Sequence, residues 1–440
     1  MPAFQSESTL LVRGSVLHFL ADPGENDAAD SYQYFDDGYL WVEAGIVQGC
    51  GHWSALEQVV PAEVRARAAR HDHRGRLILP GFVDTHMHYA QAGVIGSFGR
   101  QLLDWLNHYT FPAEAAFADP AIARHTADFV VQQLLAHGTT TASVFGTVHP
   151  ASVDAFMTAA QAHDMRVLCG KAMMDRHCPD NVRDTAASAE RESQALIERW
   201  HRKGRLRYSI TPRFAPTSTP EQLAVAGALY AAWPDLHVQS HLAENAKEVA
   251  WVKTLFPEQR DYLDVYARYG LIGPRTIYGH CIHLSAAERD VMVATGTAAA
   301  FCPTSNLFLG SGFFDYAGAV AAGVRVGLAT DIGGGTSFSM IRTLAEAYKV
   351  SQVHGVPLSP LRGWYLATLG GANALYLDDF IGNFTPGKEA DFVVLDLEAT
   401  DELAFRISHA TTLAERLFAL TTLGDDRCVT ATYVMGVRAY

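Results

Sequence analysis

The 440-residue chain lacks several features that would place it in other classes of protein. No apolar run approaches the roughly 18 residues that a membrane-spanning helix needs, and no basic leader precedes an apolar segment. The 34 lysines and arginines are outnumbered by 47 acidic residues, and the net charge of −13 argues against a nucleic-acid surface. The six cysteines are scattered without a Cys-x-x-Cys pair, which indicates reduced thiols rather than a disulfide framework. We therefore expect a cytoplasmic enzyme that binds neither membranes nor nucleic acids.

What the chain does contain is a regular alternation of strand and helix signals across its middle. Short β signals fill residues 1–76, and they return in residues 382–440. Between them, in 77–381, eight apolar or β-branched runs alternate with helical patterns. The predicted strands are 79–86, 138–147, 166–174, 207–214, 236–241, 275–280, 297–303 and 324–331. This pattern predicts an α/β fold: a distorted TIM-type (β/α)8 barrel, with a small β-sandwich formed by the N- and C-terminal segments.

Two histidines at the end of the first predicted strand form the most informative short motif. In PGFVDTHMH, which closes a buried run that begins at Leu77, one residue separates His86 from His88. Residues i and i+2 of a strand point to the same face, so both imidazoles project together, as a metal site requires. His71 and His73 have the same spacing but lie in a polar, arginine-rich stretch typical of a solvated turn. The motif alone is therefore weak evidence for a metal.

Three later strands also end in residues that can bind a metal. SHLAEN carries His241 and Glu244, GHCIHLS carries His280, and ATDIGG carries Asp331. A β/α barrel builds its active site from residues at the carboxyl ends of its strands. Each of these residues taken singly fits an ordinary core or loop position. Because four strands repeat the arrangement in order, the sequence favours one shared metal site.

These motifs resemble those of the amidohydrolase superfamily over essentially the whole chain. The resemblance rests on PGFVDTHMH, SHLAEN, GHCIHLS, ATDIGG and the closing GKEADFVVLD. Within the superfamily, HMHYAQ, WLNHYTFPAE and TPRF are similar to the guanine deaminase family. The resemblance implies zinc-dependent hydrolysis of guanine to xanthine and ammonia, in purine catabolism or salvage, by a homodimer.

The resemblance also implies a site for one divalent ion, zinc on the family pattern, with iron as the alternative. Its ligands would be His86, His88, His241 and Asp331. Relatives with two metals bridge them through a carboxylated lysine at the end of the fourth strand. Here that strand reads RYSITPRF, and Lys171, in the third strand, is interpreted as a structural or ion-pairing residue. A mononuclear site is therefore favoured.

Three residues suit the chemistry at C2 of guanine, where a metal-bound hydroxide would attack while N3 gains a proton. Glu244 can deliver that proton and carry protons to the leaving ammonia, although it could instead be an exposed helix start. Asp331 can accept the proton of the metal-bound water. His280 would face the attacking oxygen and stabilise the tetrahedral intermediate, with a role as a metal ligand as the alternative.

Recognition of guanine needs hydrogen-bond donors for its O6 and N7. Arg213 has a planar fork of N–H groups that matches two adjacent acceptors, although a salt bridge at the barrel mouth would also explain it. Phe214 could cover the ring face, and the resemblance implies a contact between Gln91 and the purine. His241 and Asp331 complete the predicted set of substrate-binding residues. The segment WLNHYTFP is aromatic enough to close over a flat ligand and exclude water.

Two alternative functions remain open at this point. The first is another purine, pterin or triazine aminohydrolase or chlorohydrolase of the same superfamily, for example one acting on 8-oxoguanine. The second, from a different class, is a non-catalytic scaffold that retains the fold, which the complete set of candidate residues argues against. A zinc site of the cytidine deaminase type is disfavoured, because Cys302-Pro303 has no second nearby cysteine.

Overall fold

Two separate sheets contain the strands of the computed structural model, which describes residues 9–98 and 101–440. In chain order the strands are β1 Thr9–Phe19, β2 Tyr32–Glu43, β3 Ile46–His52, β4 Ala69–Pro80, β5 Phe82–His88, β6 Thr139–Phe145, β7 Arg166–Gly170, β8 Ala172–Met173, β9 Arg207–Pro212, β10 His237–Leu242, β11 Thr276–His280, β12 Ala298–Phe301, β13 Arg325–Leu328, β14 Phe392–Leu395, β15 Val429–Val434 and β16 Val437–Arg438. Residues 1–8 of the predicted N-terminal segment lie outside the described residues.

Eight parallel strands curl into a barrel, in the order β5, β6, β7, β9, β10, β11, β12 and β13, while β8 pairs with β9. The chain closes the barrel at the carboxyl ends of its first and last strands. There the backbone N–H of His88 donates to the carbonyl oxygen of Ile332 at 2.5 Å. The backbone N–H of Asp331 donates to the carbonyl oxygen of His86 at 2.9 Å. This seam therefore joins the two chain segments that carry the predicted metal ligands His86, His88 and Asp331. The predicted barrel with a separate sheet from the termini is confirmed.

Helices surround the barrel and connect its strands. The α-helices are Leu56–Val59, Ala62–Arg67, Leu102–Trp105, Phe111–Ala115, Pro120–Ala136, Pro150–Ala162, Ala186–Trp200, Pro220–Ala232, Ala246–Leu255, Tyr262–Arg268, Ala286–Thr295, Pro303–Phe308, Tyr316–Ala322, Met340–Val353, Pro360–Tyr365, Gly371–Ala374, Asp401–Ser408 and Leu413–Leu423. Within the described ranges, none of them has the length and apolar character needed to cross a bilayer.

One helix start bears directly on the candidate site. Asn245 caps the helix Ala246–Leu255 by accepting a backbone N–H, and Glu248 completes the capping box from the third helical position. The cap stops the helix from extending toward β10. Glu244 is consequently held in the short turn between the strand and the helix, close to His241.

The chain termini form the second sheet, a seven-stranded one in the order β16, β15, β14, β4, β1, β2 and β3. An isolated bridge between Ile46 and Glu389 connects the start of β3 to the segment before β14. The buried face of this seven-stranded sheet includes Val12, Leu40, Ile78 and Phe392, which come from both ends of the chain. The sheet therefore depends on residues that are more than 300 positions apart in the sequence.

Two local predictions were wrong. The first predicted strand, 79–86, is divided between the sheets: Leu79 and Pro80 pair with β14 in the terminal sheet, and the barrel strand begins only at Phe82. Gly81 makes the change of sheet possible, because a Cβ there would lie 2.1 Å from Thr140 Oγ1. The division into 1–76, 77–381 and 382–440 stays a prediction, although β4 crosses the first boundary.

The second error concerns the solvated turn expected at His71 and His73. Both histidines lie within β4, on the face that meets Tyr433 of β15. His71 Nδ1 is 2.8 Å from the Tyr433 hydroxyl, and His73 Nε2 is 3.1 Å from it. This part of β4 forms a strand because it pairs with the distant β1, where Val12 lies opposite His71, and the local, polar sequence did not reveal that pairing.

Candidate active site

Four predicted ligand residues converge at the carboxyl end of the barrel, and none is more than 9% exposed. His88 Nε2 lies 3.0 Å from His241 Nε2. Asp331 Oδ1 lies 3.4 Å from His86 Nε2 and 3.6 Å from His88 Nε2. Three groups of described residues could hold a metal: His86 with His88 and Asp331, His86 with His241 and His280, and His280 with Cys302 and Asp331. The structure thus brings the four predicted ligands together, with His280 beside them.

The histidines keep their Nε2 atoms available for a metal. His241 Nδ1 donates to the carbonyl oxygen of Arg213 at 2.5 Å, which leaves the lone pair on Nε2. His86 Nε2 is buried and has no hydrogen-bond partner among the described residues. Burial lowers the pKa of His86, His88 and His241. The three imidazoles are therefore neutral, which is the form that coordinates metals.

The spacing of these atoms fits a single metal ion. The ligand atoms of a tetrahedral zinc with ordinary bond lengths lie about 3.3 Å apart, and the separations given above run from 3.0 to 3.6 Å. Gly279 gives His86 the room it needs, because a Cβ there would lie 2.7 Å from His86 Cε1. Lys171 is buried and pairs with Asp184 at 2.5 Å, so its amine is engaged away from these ligands.

Glu244 and Asp331 are buried carboxyls whose surroundings shift their pKa values in opposite directions. Burial raises the pKa of Glu244 to about 7. Burial also acts on Asp331, but the adjacent His86 imidazole and the charge of His280 outweigh burial and lower the pKa of Asp331. Two carboxyls separated in this way can divide the roles of acid and base at neutral pH.

His280 lies between these two carboxyls. Its Nε2 is 3.4 Å from Glu244 Oε2 and 3.8 Å from Asp331 Oδ2. Burial alone would lower the pKa of His280, but the two carboxylates outweigh burial and raise it. Asn306 Oδ1 lies 2.9 Å from His280 Nδ1, and Ser311 Oγ donates to Glu244 Oε1 at 3.1 Å. These contacts hold His280 and Glu244 in fixed orientations.

The pocket beside the predicted metal ligands is lined by the predicted recognition residues Gln91, Arg213 and Phe214. The predicted aromatic lid is a helical segment, Leu102–Trp105, which continues through the π-helix Leu106–Thr110 into Phe111–Ala115. From it, Leu102, Trp105 and Leu106 line the pocket. One wall of the pocket is thus apolar and helical, while the barrel supplies the polar groups.

Sequence reasoning missed two buried carboxyls near the site. Glu114, in the lid segment, accepts hydrogen bonds from Arg213 and Gln91. Asp84 Oδ1 accepts the backbone N–H groups of Thr330 at 3.0 Å and His86 at 3.3 Å, which ties the first and last barrel strands together. Asp84 had a detectable signal, because it shares a strand face with His86 and His88. Glu114 had none, since its partner Arg213 is 99 residues away.

Comparison with known proteins identifies the family and agrees with the fold. The chain matches the model described as "Amidohydrolase family" over residues 77–439. The chain belongs to this amidohydrolase family. It is 50% identical to "Guanine deaminase" of Escherichia coli (strain K12) over 432 residues, 98% of this chain and 97% of the relative. The resemblance inferred from the motifs, to the superfamily and to its guanine deaminase members, is confirmed.

Two solved structures extend this similarity to three dimensions. "E. coli Guanine Deaminase" superposes with a TM-score of 0.94 at 50% identity, covering 98% of this chain and 99% of that chain. Guanine deaminase from C. acetobutylicum "with bound guanine in the active site" has a TM-score of 0.88 at 29% identity, covering 98% and 100%. The fold and the family therefore agree with these comparisons.

Proposed function

We propose that the protein hydrolyses guanine to xanthine and ammonia. The observation that carries this proposal is one pocket in which neutral histidines and two carboxyls of opposite pKa shift face Arg213 and Gln91. The histidines and carboxyls suit a hydrolytic reaction. Arg213 and Gln91 suit the recognition of a nucleobase that carries hydrogen-bond acceptors. Relatives called guanine deaminase, one of them with guanine bound, support the same activity.

The metal in this proposal is one zinc ion held by His86, His88, His241 and Asp331. Bound there, zinc would supply an activated water as the nucleophile at neutral pH. The donor set, three neutral imidazoles and one carboxylate, suits zinc, and iron accepts the same ligands. His280 is placed outside this set, because its Nε2 faces both carboxyls and its pKa is raised.

The chain's own residues move the protons. Asp331, whose pKa is lowered, is ionised and can take a proton from the nucleophile. Glu244, with a pKa of about 7, can carry a proton at neutral pH and deliver it to N3, after which it can pass a second proton, released by the attacking water, to the leaving amine. His280 is positioned to donate a hydrogen bond to the oxygen added at C2, where negative charge develops.

Arg213, Gln91 and Phe214 provide recognition in this proposal. Arginine offers only donors, so it selects the O6 and N7 acceptors of guanine. Adenine has an amine in place of O6, which would leave a buried donor unpaired. Sites built on such hydrogen bonds reject the analogue by ~10⁴-fold or more. Phe214 lies at the pocket wall, where its ring can cover the flat base.

The decisive experiment measures ammonia release from guanine, adenine, 8-oxoguanine, a pterin and a triazine, with and without a chelator. We expect guanine turnover that the chelator abolishes, an inert adenine, and about one metal equivalent per chain. Arg213→Ala should raise KM for guanine sharply without loss of metal, and Arg213→Lys should restore binding only partly. Comparable turnover of adenine and guanine, or a second essential metal, would contradict the proposal. The homodimer and the cytoplasmic location stay predictions.

A further inference from the structure

Glu114 contacts two recognition residues without lining the pocket itself. Arg213 Nη1 donates to both of its carboxylate oxygens, at 2.7 and 2.8 Å, and Gln91 Nε2 donates to Oε1 at 3.0 Å. All three side chains are buried, with no more than 2% of any of these residues exposed. Gln91 and Arg213 face the pocket, and Glu114 lies behind them. Any effect of Glu114 on a ligand must therefore pass through these two side chains.

The contacts with Glu114 determine which edge of Arg213 is available. Because the hydrogens of Nη1 are directed to the carboxylate, the N–H groups of Nε and Nη2 remain for another acceptor. These two nitrogens form a planar fork that matches two neighbouring acceptor atoms. Rotation of the guanidinium would present a different edge. Glu114 therefore selects the edge that suits O6 and N7 of a purine.

The same carboxylate fixes the direction of the Gln91 amide. An ionised carboxylate only accepts hydrogen bonds, so the amide nitrogen must face Glu114. The amide oxygen is then turned toward the N–H of Gly333, 3.4 Å away, in the loop that follows Asp331. Without Glu114, the long contact with Gly333 alone would orient the amide. Glu114 thus decides the donor and acceptor pattern that both residues present.

Glu114 also neutralises a buried cation next to the metal ligands. The charge of Arg213 acts on His86, His88 and His241, and an unpaired guanidinium here would be costly. The helix that carries Glu114, Phe111–Ala115, places Phe111 against the same guanidinium, at 5.5 Å from its ring centre. The ion pair therefore also fastens the lid to the end of β9.

We propose that Glu114 is a positioning residue that determines base specificity, by holding the donor edge of Arg213 and the amide of Gln91 in the orientation that reads guanine. This inference rests on the proposed function. It assigns to the lid segment a role in discrimination, in addition to covering the pocket.

The test compares guanine with 2-aminopurine, which has the same amine at C2 but no O6. The ratio of their kcat/KM values does not depend on how much of the enzyme is folded. We expect guanine to be favoured by ~10⁴-fold in the parent. In Glu114→Gln this ratio should fall at least about tenfold, mainly because the KM for guanine rises. Metal content should remain at the parental level. Glu114→Asp, which keeps the charge, should restore part of the ratio.

Glu288→Gln is the matched control, because Glu288 is a buried glutamate that caps the helix Ala286–Thr295 and does not line the pocket. It should lower stability and leave the ratio unchanged. If Glu114→Gln does not fold, the ratio of kcat/KM values for guanine and 2-aminopurine in Glu114→Asp serves as the test instead. A parental ratio in the folded Glu114 variants would overturn the inference, whereas a parent enzyme that does not turn over guanine would overturn the proposed function instead.

Discussion

Replacing Glu244 with glutamine should remove most activity and at the same time make the metal-free protein more stable above pH 7. The pKa of this carboxyl is raised from 4.5 to about 7, with burial as the largest cause. The folded protein therefore binds the proton more tightly than the unfolded chain does. The stabilisation is complete below pH 4.5 and is lost as the pH rises through 7.

The size of both effects follows from the site. A pKa raised from 4.5 to about 7 corresponds to roughly 3 kcal/mol of folding free energy lost at high pH. Glutamine carries no charge and avoids this loss, while Ser311 can still donate to its Oε1. Catalysis, however, needs the proton, and general acid–base groups contribute ~10²–10⁴-fold. We expect kcat/KM for guanine to fall by at least that range.

Two measurements test Glu244→Gln together. Urea unfolding with chelator at pH 5 and pH 8 should show that the variant loses less stability than the parent between these values. Guanine turnover with the metal restored should show the activity loss at unchanged metal content. Glu288→Gln is again the control and should reduce stability at both pH values while kcat/KM stays parental. Near-parental turnover of Glu244→Gln would assign the proton transfer to another group, and a parental pH dependence of unfolding would refute the electrostatic reasoning.

Three further predictions concern other parts of the molecule. Gly279→Ala should lower the metal content measured after purification, because the new Cβ would lie 2.7 Å from His86 Cε1; a full metal equivalent would show that His86 can shift at no cost. Glu389→Ala should lower the free energy of unfolding by about 3–5 kcal/mol in denaturant titrations, since it leaves buried Arg166 without its carboxylate and leaves Arg205 with Asp391 alone. Burial lowers the pKa of His18 to about 4. As the pH falls from 6.5 to 4, His18 therefore becomes protonated in the unfolded chain but not in the folded protein. Stability should drop over that window by up to roughly 3 kcal/mol, and His18→Gln should flatten the decline.

The sequence by itself was sufficient to predict the barrel and the functional groups at the carboxyl ends of its strands. A strand places alternate residues on one face, so PGFVDTHMH determined that His86 and His88 project together. The carboxyl ends of parallel strands meet at one end of a barrel, so His241, His280 and Asp331 were expected beside them. Local periodicity and this one rule of architecture were enough, because each group lies on a barrel strand or within three residues of its carboxyl end.

Only the tertiary structure decided what depends on pairing between distant segments. Whether Leu77–Pro80 belongs to the barrel depended on β14, more than 300 residues later, and pairing with β1 drew the segment of His71 and His73 into a strand. Glu114 became a partner of Arg213 because the lid folds back over the barrel, and no local pattern encodes that contact. The pKa values of Glu244 and Asp331 diverge for a related reason: burial and neighbouring charges, which set them, exist only after the chain has folded.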